Sequence, residues 1–224
     1  MTPIFAKKII FDLDGTLVDT APDLLAATNH VLHEINRAPV TLEQVRHMVG
    51  FGAMKLIELG LKATGGVNRQ DTAELLQSFL KYYADNVAVN SRPFPDTINV
   101  LQALKSDGFG LAICTNKPHH LAKSLLHDLN MTQYFECIIG GDSLPYKKPD
   151  PRPILSAINA LPGTGPAIMI GDSIADIDGA RAANIPSILV TFGYSAIPHD
   201  ELNADLTITA MADLPACVTL GAIE

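Results

Sequence analysis

The sequence predicts a doubly wound α/β fold, a parallel sheet covered on both faces by helices, with a helical domain inserted after the first strand. Three observations carry this expectation. Short apolar runs without in–out alternation recur along the chain, and helical segments separate most of them. A stretch of roughly 70 residues near the amino terminus has helix signals and no convincing strand, far more than a crossover needs.

The apolar runs are Lys8–Phe11, Leu111–Cys114, Glu136–Ile139, Ala167–Ile170, Ser187–Thr191 and Leu206–Thr209. They read as buried parallel strands. Between them, Asp96–Asp107 opens on a capping residue, Asp96, and stops at Gly108. His119–Leu129 and Ile174–Ala183 have helical apolar spacing, and Asp150-Pro151 reads as an N-cap followed by proline at the first helical position. In the inserted stretch, Thr20-x-x-Asp23 and Thr41-x-x-Gln44 have the pattern of capping boxes. Apolar residues recur there at Leu24, Leu25, Val31, Leu32 and Ile35, then at Leu56 and Leu59, then from Leu75 to Leu80. Residues 20–90 are therefore expected to form a helical cap. Residues 1–19 and 91–224 are expected to form a discontinuous core, with Ser91–Pro95 as the return linker.

Composition narrows the class. With 47% hydrophobic and 18% charged residues the chain is globular rather than disordered. A net charge of −8 lacks the electrostatic footprint of a nucleic-acid or anionic-membrane binder. Cys114, Cys137 and Cys217 form no C-x-x-C pair, so reduced, buried cysteines are expected. Met1–Ile10 lacks a leader's apolar region, and no apolar run reaches a membrane span. A cytoplasmic monomer or homodimer with no nucleic-acid or membrane partner is expected.

Four elements carry chemistry. Phe11-Asp12-Leu13-Asp14-Gly15-Thr16-Leu17-Val18-Asp19-Thr20 follows the first apolar run directly. Asp12 and Asp14 thus fall at the carboxyl end of a strand, where open α/β sheets bind ligands, and residues two apart in extended chain point the same way. One carboxylate can serve as nucleophile and metal ligand, the other as general acid and base. An Asp-x-Asp by itself is also an ordinary turn. Gly171-Asp172-Ser173-Ile174-Ala175-Asp176 follows Ala167–Ile170 in the same way. Mg²⁺ favours one or two carboxylates with phosphate oxygens, and Asp12 and Asp172 could supply them. Thr115-Asn116-Lys117 brings a hydroxyl and backbone amides to a helix start, where phosphate oxygens can be held. Lys147-Lys148-Pro149-Asp150-Pro151 offers a lysine to balance carboxylates, metal and phosphate, although a lysine pair is also common on a solvated surface.

Together, in this order and over essentially the whole chain, these elements resemble the haloacid dehalogenase-like phosphatases, in the branch with a helical cap. The resemblance implies a Rossmann-like core. It implies that Asp12 attacks phosphorus to form an aspartyl-phosphate, and that Asp14 protonates the leaving alcohol and then deprotonates water. It implies Mg²⁺ held by the Asp12 carboxylate, the Asp14 carbonyl and Asp172, with Asp176 orienting the metal's ligands. Thr115 and Lys148 would hold the phosphoryl group, with Thr16 and Asn116 beside them. A dehalogenase would not need this metal site, and a phosphonatase typically lacks an aspartate at position 14.

The cap stretch Val49–Ile57 contains Gly50 and Gly52 ahead of a helical run, flanked by Arg46 and Lys55. Free amides there could receive an anion, and these four residues are expected to bind substrate. With Thr-Asn-Lys and the Gly-Gly-Asp-Ser…Lys-Pro-Asp-Pro run, this stretch resembles bacterial phosphoglycolate phosphatases. That implies hydrolysis of 2-phosphoglycolate, a small-molecule phosphate ester, to glycolate and phosphate. A capped phosphatase for a sugar phosphate or pyrophosphate, a β-phosphoglucomutase-like enzyme and a non-catalytic phospho-ligand sensor stay open. One departure is Asp96, where relatives are expected to carry glycine. His30 and His33 lack a third ligand for zinc. Ser173 and Ser195 lack the Gly-x-Ser-x-Gly context of a serine hydrolase.

Overall fold

The computed structural model describes residues 2–66 and 69–221, without the side chains of 69–71. The expected core also includes Met1 and residues 222–224, and the expected insert residues 67–68; these lie outside the described residues. All six expected strands form. They are β1 (Lys8–Phe11), β2 (Gly110–Cys114), β3 (Cys137–Ile139), β4 (Ala167–Gly171), β5 (Ser187–Val190) and β6 (Leu206–Ile208). They make one parallel sheet in the order β3-β2-β1-β4-β5-β6. β3 starts one residue later than expected. The Glu136 amide still donates to the Leu111 carbonyl, and its side chain accepts from the Leu111 amide at 2.8 Å.

β1 is central: Ile9 pairs with Leu111 on one side and Ile168 on the other. A strand with two neighbours and two covered faces has no wet side, so its sequence reads as a continuous apolar run. Ile9 and Phe11 join one hydrophobic cluster and Ile10 the opposite one, as the period of two requires. The one cation in this strand, Lys8, is buried. Its ammonium donates to the carbonyls of Ile158 at 2.9 Å and Leu161 at 3.0 Å, at the carboxyl end of a helix, where positive charge is favoured.

The insert consists of α1 (Ala21–Glu34), α2 (Leu42–Arg46), α3 (Ala53–Ala63) and α4 (Arg69–Asp85), with no strand between them among the described residues. The core helices are α5 (Thr97–Asp107), α6 (His119–Asp128), α7 (Pro151–Ala160), α8 (Ile174–Ala182) and the short α9 (Leu214–Cys217). Leu56, Phe79 and Tyr83 of the insert belong to the same hydrophobic cluster as Ile9 and Phe11, so apolar packing runs on from core to cap.

The expected caps divide. Thr41 and Gln44 form their box: the Gln44 amide donates to Thr41 Oγ1 and the Thr41 amide to Gln44 Oε1. Asp150 caps α7 by accepting from the Arg152 amide at 3.0 Å. The box expected at Thr20-x-x-Asp23 does not form, because Asp23 is engaged elsewhere. Its carboxylate accepts from the amides of Asn90 and Ser91 and from the Ser91 hydroxyl, tying α1 to the return linker. Asp96 precedes α5 but makes no side-chain cap; it sits at φ 62°, the left-handed conformation that glycine adopts without cost. The two chain crossings between core and insert pair with each other. Val18–Asp19 runs antiparallel to Arg92–Pro93, and the Phe94 amide donates to the Leu17 carbonyl at 3.0 Å.

None of the three cysteines forms a disulfide among the described residues, and Cys114 and Cys217 are buried. Among the described residues no helix is long and apolar enough to cross a membrane.

Candidate active site

In this strand order the chain reverses direction across the sheet between β1 and β4. Loops leaving their carboxyl ends part there and open a crevice. Asp12 follows β1 and Asp172 follows β4. With Asp176, in the first turn of α8, they offer carboxylate oxygens all within 4.8 Å of one another, and all three residues are buried. The Lys148 ammonium lies among them, 2.5 Å from Asp176 Oδ1 and 3.0 Å from Asp12 Oδ1.

Two of these carboxylates are held by donors. Asp172 accepts from the Thr16 hydroxyl and from the Tyr194 amide, both at 2.8 Å. Asp176 Oδ2 accepts from the Ser173 amide at 3.0 Å and hydroxyl at 2.6 Å. Asp12 differs. Lys148 sits near its Oδ1 but aims its hydrogen bond at Asp176, so Asp12 Oδ1 is a buried oxygen without a hydrogen bond. Burial pushes the Asp12 carboxyl up to about 7, with Lys148 pulling the other way and Asp176 and Asp14 adding to the rise. Asp172 is raised well above the carboxylate range by burial, then by Asp176 and Asp12. Lys148 is raised despite its burial, because Asp12 and Asp176 flank it.

Three buried carboxylates against one ammonium leave a local charge of −2 when all are ionised. That excess, the all-oxygen donor set and the free Asp12 oxygen fit a hard divalent cation.

Gly15 permits the crowding. It has φ +86°, and a Cβ there would lie 2.4 Å from Asp172 Oδ2, so a side chain would displace the β4 carboxylate.

The Thr115-Asn116-Lys117 loop follows β2. Thr115 is buried beside the crevice, and its hydroxyl accepts from the Lys117 amide at 3.2 Å. The Asn116 side chain is occupied. Its Oδ1 accepts from the Lys148 amide at 3.0 Å, and its Nδ2 donates to the Lys148 carbonyl at 3.1 Å and to the Gly50 carbonyl of the cap at 3.0 Å. It fixes the backbone of Lys148 and ties it to the cap. Thr16 likewise spends its hydroxyl on Asp172.

Between core and cap lies a cleft enclosing about 470 Å³, part of it open to solvent. Asp12, Asp14, Thr115 and Lys117 line it from the core, and Gly50, Gly52 and Ala53 line it at the start of α3. Gly50 and Gly52 have φ of +106° and +89°, so the loop turns back on itself where it meets the core. The other two expected cap residues do not reach this cleft. Arg46 pairs with Asp19 at 3.2 Å, and Lys55 pairs with Glu58 at 3.2 Å on the exposed side of α3. Nearness in sequence to Gly50–Ala53 does not fix which side of the turn a long side chain takes.

Two contributors, Tyr83 and Tyr194, went unseen in the sequence. Tyr83, within the apolar pattern of α4, brings its hydroxyl to the Lys117 ammonium at 2.7 Å. Lys117 also donates to Asp14 Oδ1 at 3.0 Å and Oδ2 at 3.3 Å. Tyr194, in the loop after β5, holds Asp172 through its amide, and its hydroxyl joins Asp19 and the Ala21 amide at the crossing into the cap. Its position after a strand end was the available signal; Tyr83 offered none, since buried aromatics on a helix usually mean core.

The chain is similar to known proteins over most of its length. A family profile described as haloacid dehalogenase-like hydrolase matches residues 9–190. A phosphoglycolate phosphatase of Caulobacter vibrioides is 44% identical over 95% of this chain and 91% of its own. One of Thiobacillus denitrificans is 37% identical over 97% of each. A crystal structure from Haemophilus somnus, described as a predicted phosphoglycolate phosphatase, superposes with a TM-score of 0.86 at 29% identity, covering 94% of this chain and 96% of its own. With its carboxylates gathered at the switch point and its helical insert above them, the chain belongs to the haloacid dehalogenase-like hydrolases.

Proposed function

We propose that this chain is a Mg²⁺-dependent phosphatase hydrolysing 2-phosphoglycolate to glycolate and phosphate through an aspartyl-phosphate on Asp12. The observation that carries the reading is Asp12 itself: a buried carboxylate at the switch point whose Oδ1 accepts no hydrogen bond, with the Lys148 ammonium 3.0 Å away as its counter-charge.

Asp12 attacks phosphorus as the bond to the leaving oxygen breaks, and Asp14 gives that oxygen a proton. Asp14 then takes a proton from water as the water attacks phosphorus, releasing phosphate and restoring the Asp12 carboxylate. Thr115 and Lys148 hold the phosphoryl oxygens, and Asn116 keeps Lys148 in place. Asp12, the Asp14 carbonyl and Asp172 would hold Mg²⁺, with Asp176 beside them. When bound, the cation neutralises charge on the phosphoryl oxygens, and phosphoryl transfer needs chiefly positioning and charge stabilisation. Residues 20–90 act as a cap that shields the site from bulk solvent while the phosphoryl group is transferred.

Substrate size follows from the cleft. Away from the carboxylates its walls are largely apolar, with Leu24, Leu56, Phe79 and Leu121 facing it. Sugar hydroxyls would find few partners there, whereas a short arm with one anionic end fits. The relatives named above carry the same activity in their names. The reading sets the enzyme in the cytoplasm acting on a small molecule, which the net charge of −8 and the absence of a disulfide among the described residues favour. The test is phosphate release from 2-phosphoglycolate with and without Mg²⁺, using Asp12→Asn as the blank. Release that survives in Asp12→Asn would remove the nucleophile.

A further inference from the structure

We infer that Lys117, anchored by Tyr83 of the cap, is the receptor for the substrate's second anionic group, which takes the place of Asp14 on the Lys117 ammonium. The inference rests on the phosphoglycolate reading and deepens it.

Lys117 lines the cleft, yet its side chain is only 3% exposed. Its ammonium has two sets of partners: Asp14, through both oxygens, and the Tyr83 hydroxyl. Tyr83 is itself buried, and the ammonium also lies over its ring, 4.4 Å from the centroid. The cation is therefore fixed from the cap side and compensated from the core side. Lys148 lies between Asp12 and Asp176, at the phosphoryl end of the site, and does not line the cleft as Lys117 does. Arg46 and Lys55, the cations expected from sequence, are paired outside the cleft.

This arrangement blocks Asp14 from its proposed work. A carboxylate gripping Lys117 through both oxygens is not directed at a leaving oxygen. Turning it inward alone would strip a buried ammonium of its counter-charge, which is costly. An anion delivered by the substrate removes that obstacle: it takes over Lys117 and frees Asp14 to turn toward the leaving group. Lys117 lies against Asp14 itself, so the arriving anion must sit a bond or two from the ester oxygen. A carboxylate one carbon away meets this requirement; esters whose second charge is remote, or absent, do not. Lys117 is thus a specificity determinant acting through direct contact, and Tyr83 its positioning residue.

The experiment compares 2-phosphoglycolate with ethyl phosphate, which lacks the carboxylate, in wild type, Lys117→Met and Tyr83→Phe. The ratio of kcat/KM values cancels any effect of the substitutions on Asp14 that both esters share. The wild-type ratio should favour 2-phosphoglycolate, fall about 100-fold in Lys117→Met and fall less in Tyr83→Phe. In the inert Asp12→Asn background, adding Lys117→Met should weaken calorimetric binding of 2-phosphoglycolate and leave that of inorganic phosphate within about twofold. A wild-type preference that survives in Lys117→Met overturns the receptor while leaving the phosphoglycolate reading intact. Equal loss of ester and inorganic phosphate binding overturns the receptor as well. A wild type with no preference between the two esters overturns both readings together.

Discussion

At the scale of single residues, the site is a set of charges whose partners differ in number. Asp172 and Asp176 each have donors, and Asp12 Oδ1 has none. Asp14→Asn should slow turnover strongly while Mg²⁺ affinity holds within a few-fold, because the proposed metal contact there is a backbone carbonyl. Titration calorimetry checks this, and loss of metal binding would contradict the assigned role. Asn116→Ala removes three hydrogen bonds that join Lys148 to the cap. It should cost about 1–3 kcal/mol of stability and lower kcat/KM about 10–100-fold, mainly through kcat. Chemical denaturation and steady-state kinetics read the two effects. The residues legible in the sequence were those whose chemistry is local. Asp12, Asp172 and Lys148 follow strands or sit in compact motifs, and parallel strands deliver their ends to one edge. Lys117 with Tyr83, 34 residues apart, was not legible, because a helix pattern does not reveal which core cation a tyrosine tip will meet. Arg46 and Lys55 show the converse: each pairs with an acidic residue away from the cleft.

At the scale of elements, the four inner strands were readable because they are buried on both faces, which leaves an apolar run and no alternation to misread; the edge strands β3 and β6 are less buried. The pairing of Val18–Asp19 with Arg92–Pro93 was not readable, since two residues carry no periodicity. Capping patterns were half informative. Thr41 and Gln44 had no competing partner, while Asp23 had the return linker to bind. Asp96 shows sequence and backbone in conflict: an L-residue holds a left-handed turn before α5. Asp96→Gly removes about 1–2 kcal/mol of left-handed strain and adds about 0.5–1 kcal/mol of unfolded-chain entropy. A net stabilisation of about 0.5–1 kcal/mol is expected, seen as a small rise in Tm with kcat/KM unchanged. A fall in Tm would contradict it.

At the scale of the whole molecule, the carboxylate cluster trades stability for function. Asp12 is raised from its ordinary value to about 7, and Asp172 moves in the same direction. A carboxyl raised in the folded state adds stability that is complete below its unfolded value, near pH 4, and is lost as the pH rises through about 7. Lys148 is raised too, so its contribution persists across that window. The metal-free protein should therefore lose stability from these groups between about pH 4 and 7. A cation that needs the same carboxylates ionised restores more as protons leave. The rise in Tm on adding Mg²⁺ should grow from pH 5 to pH 8, and a pH-independent rise would contradict the coupling. Asp12→Asn, which removes one like charge, should raise the Tm of the metal-free protein at pH 8.

The proposed phosphoryl transfer to Asp12 depends on this same cluster and on the cap that roofs it. The most direct measurement is kcat/KM for phosphate release, with Mg²⁺, across 2-phosphoglycolate, several sugar phosphates, pyrophosphate and an aryl phosphate, in wild type and Asp12→Asn. Wild type should prefer 2-phosphoglycolate, and Asp12→Asn should release phosphate from none of them. Equal turnover of a sugar phosphate or pyrophosphate would contradict the assigned substrate, and release by Asp12→Asn would contradict the nucleophile.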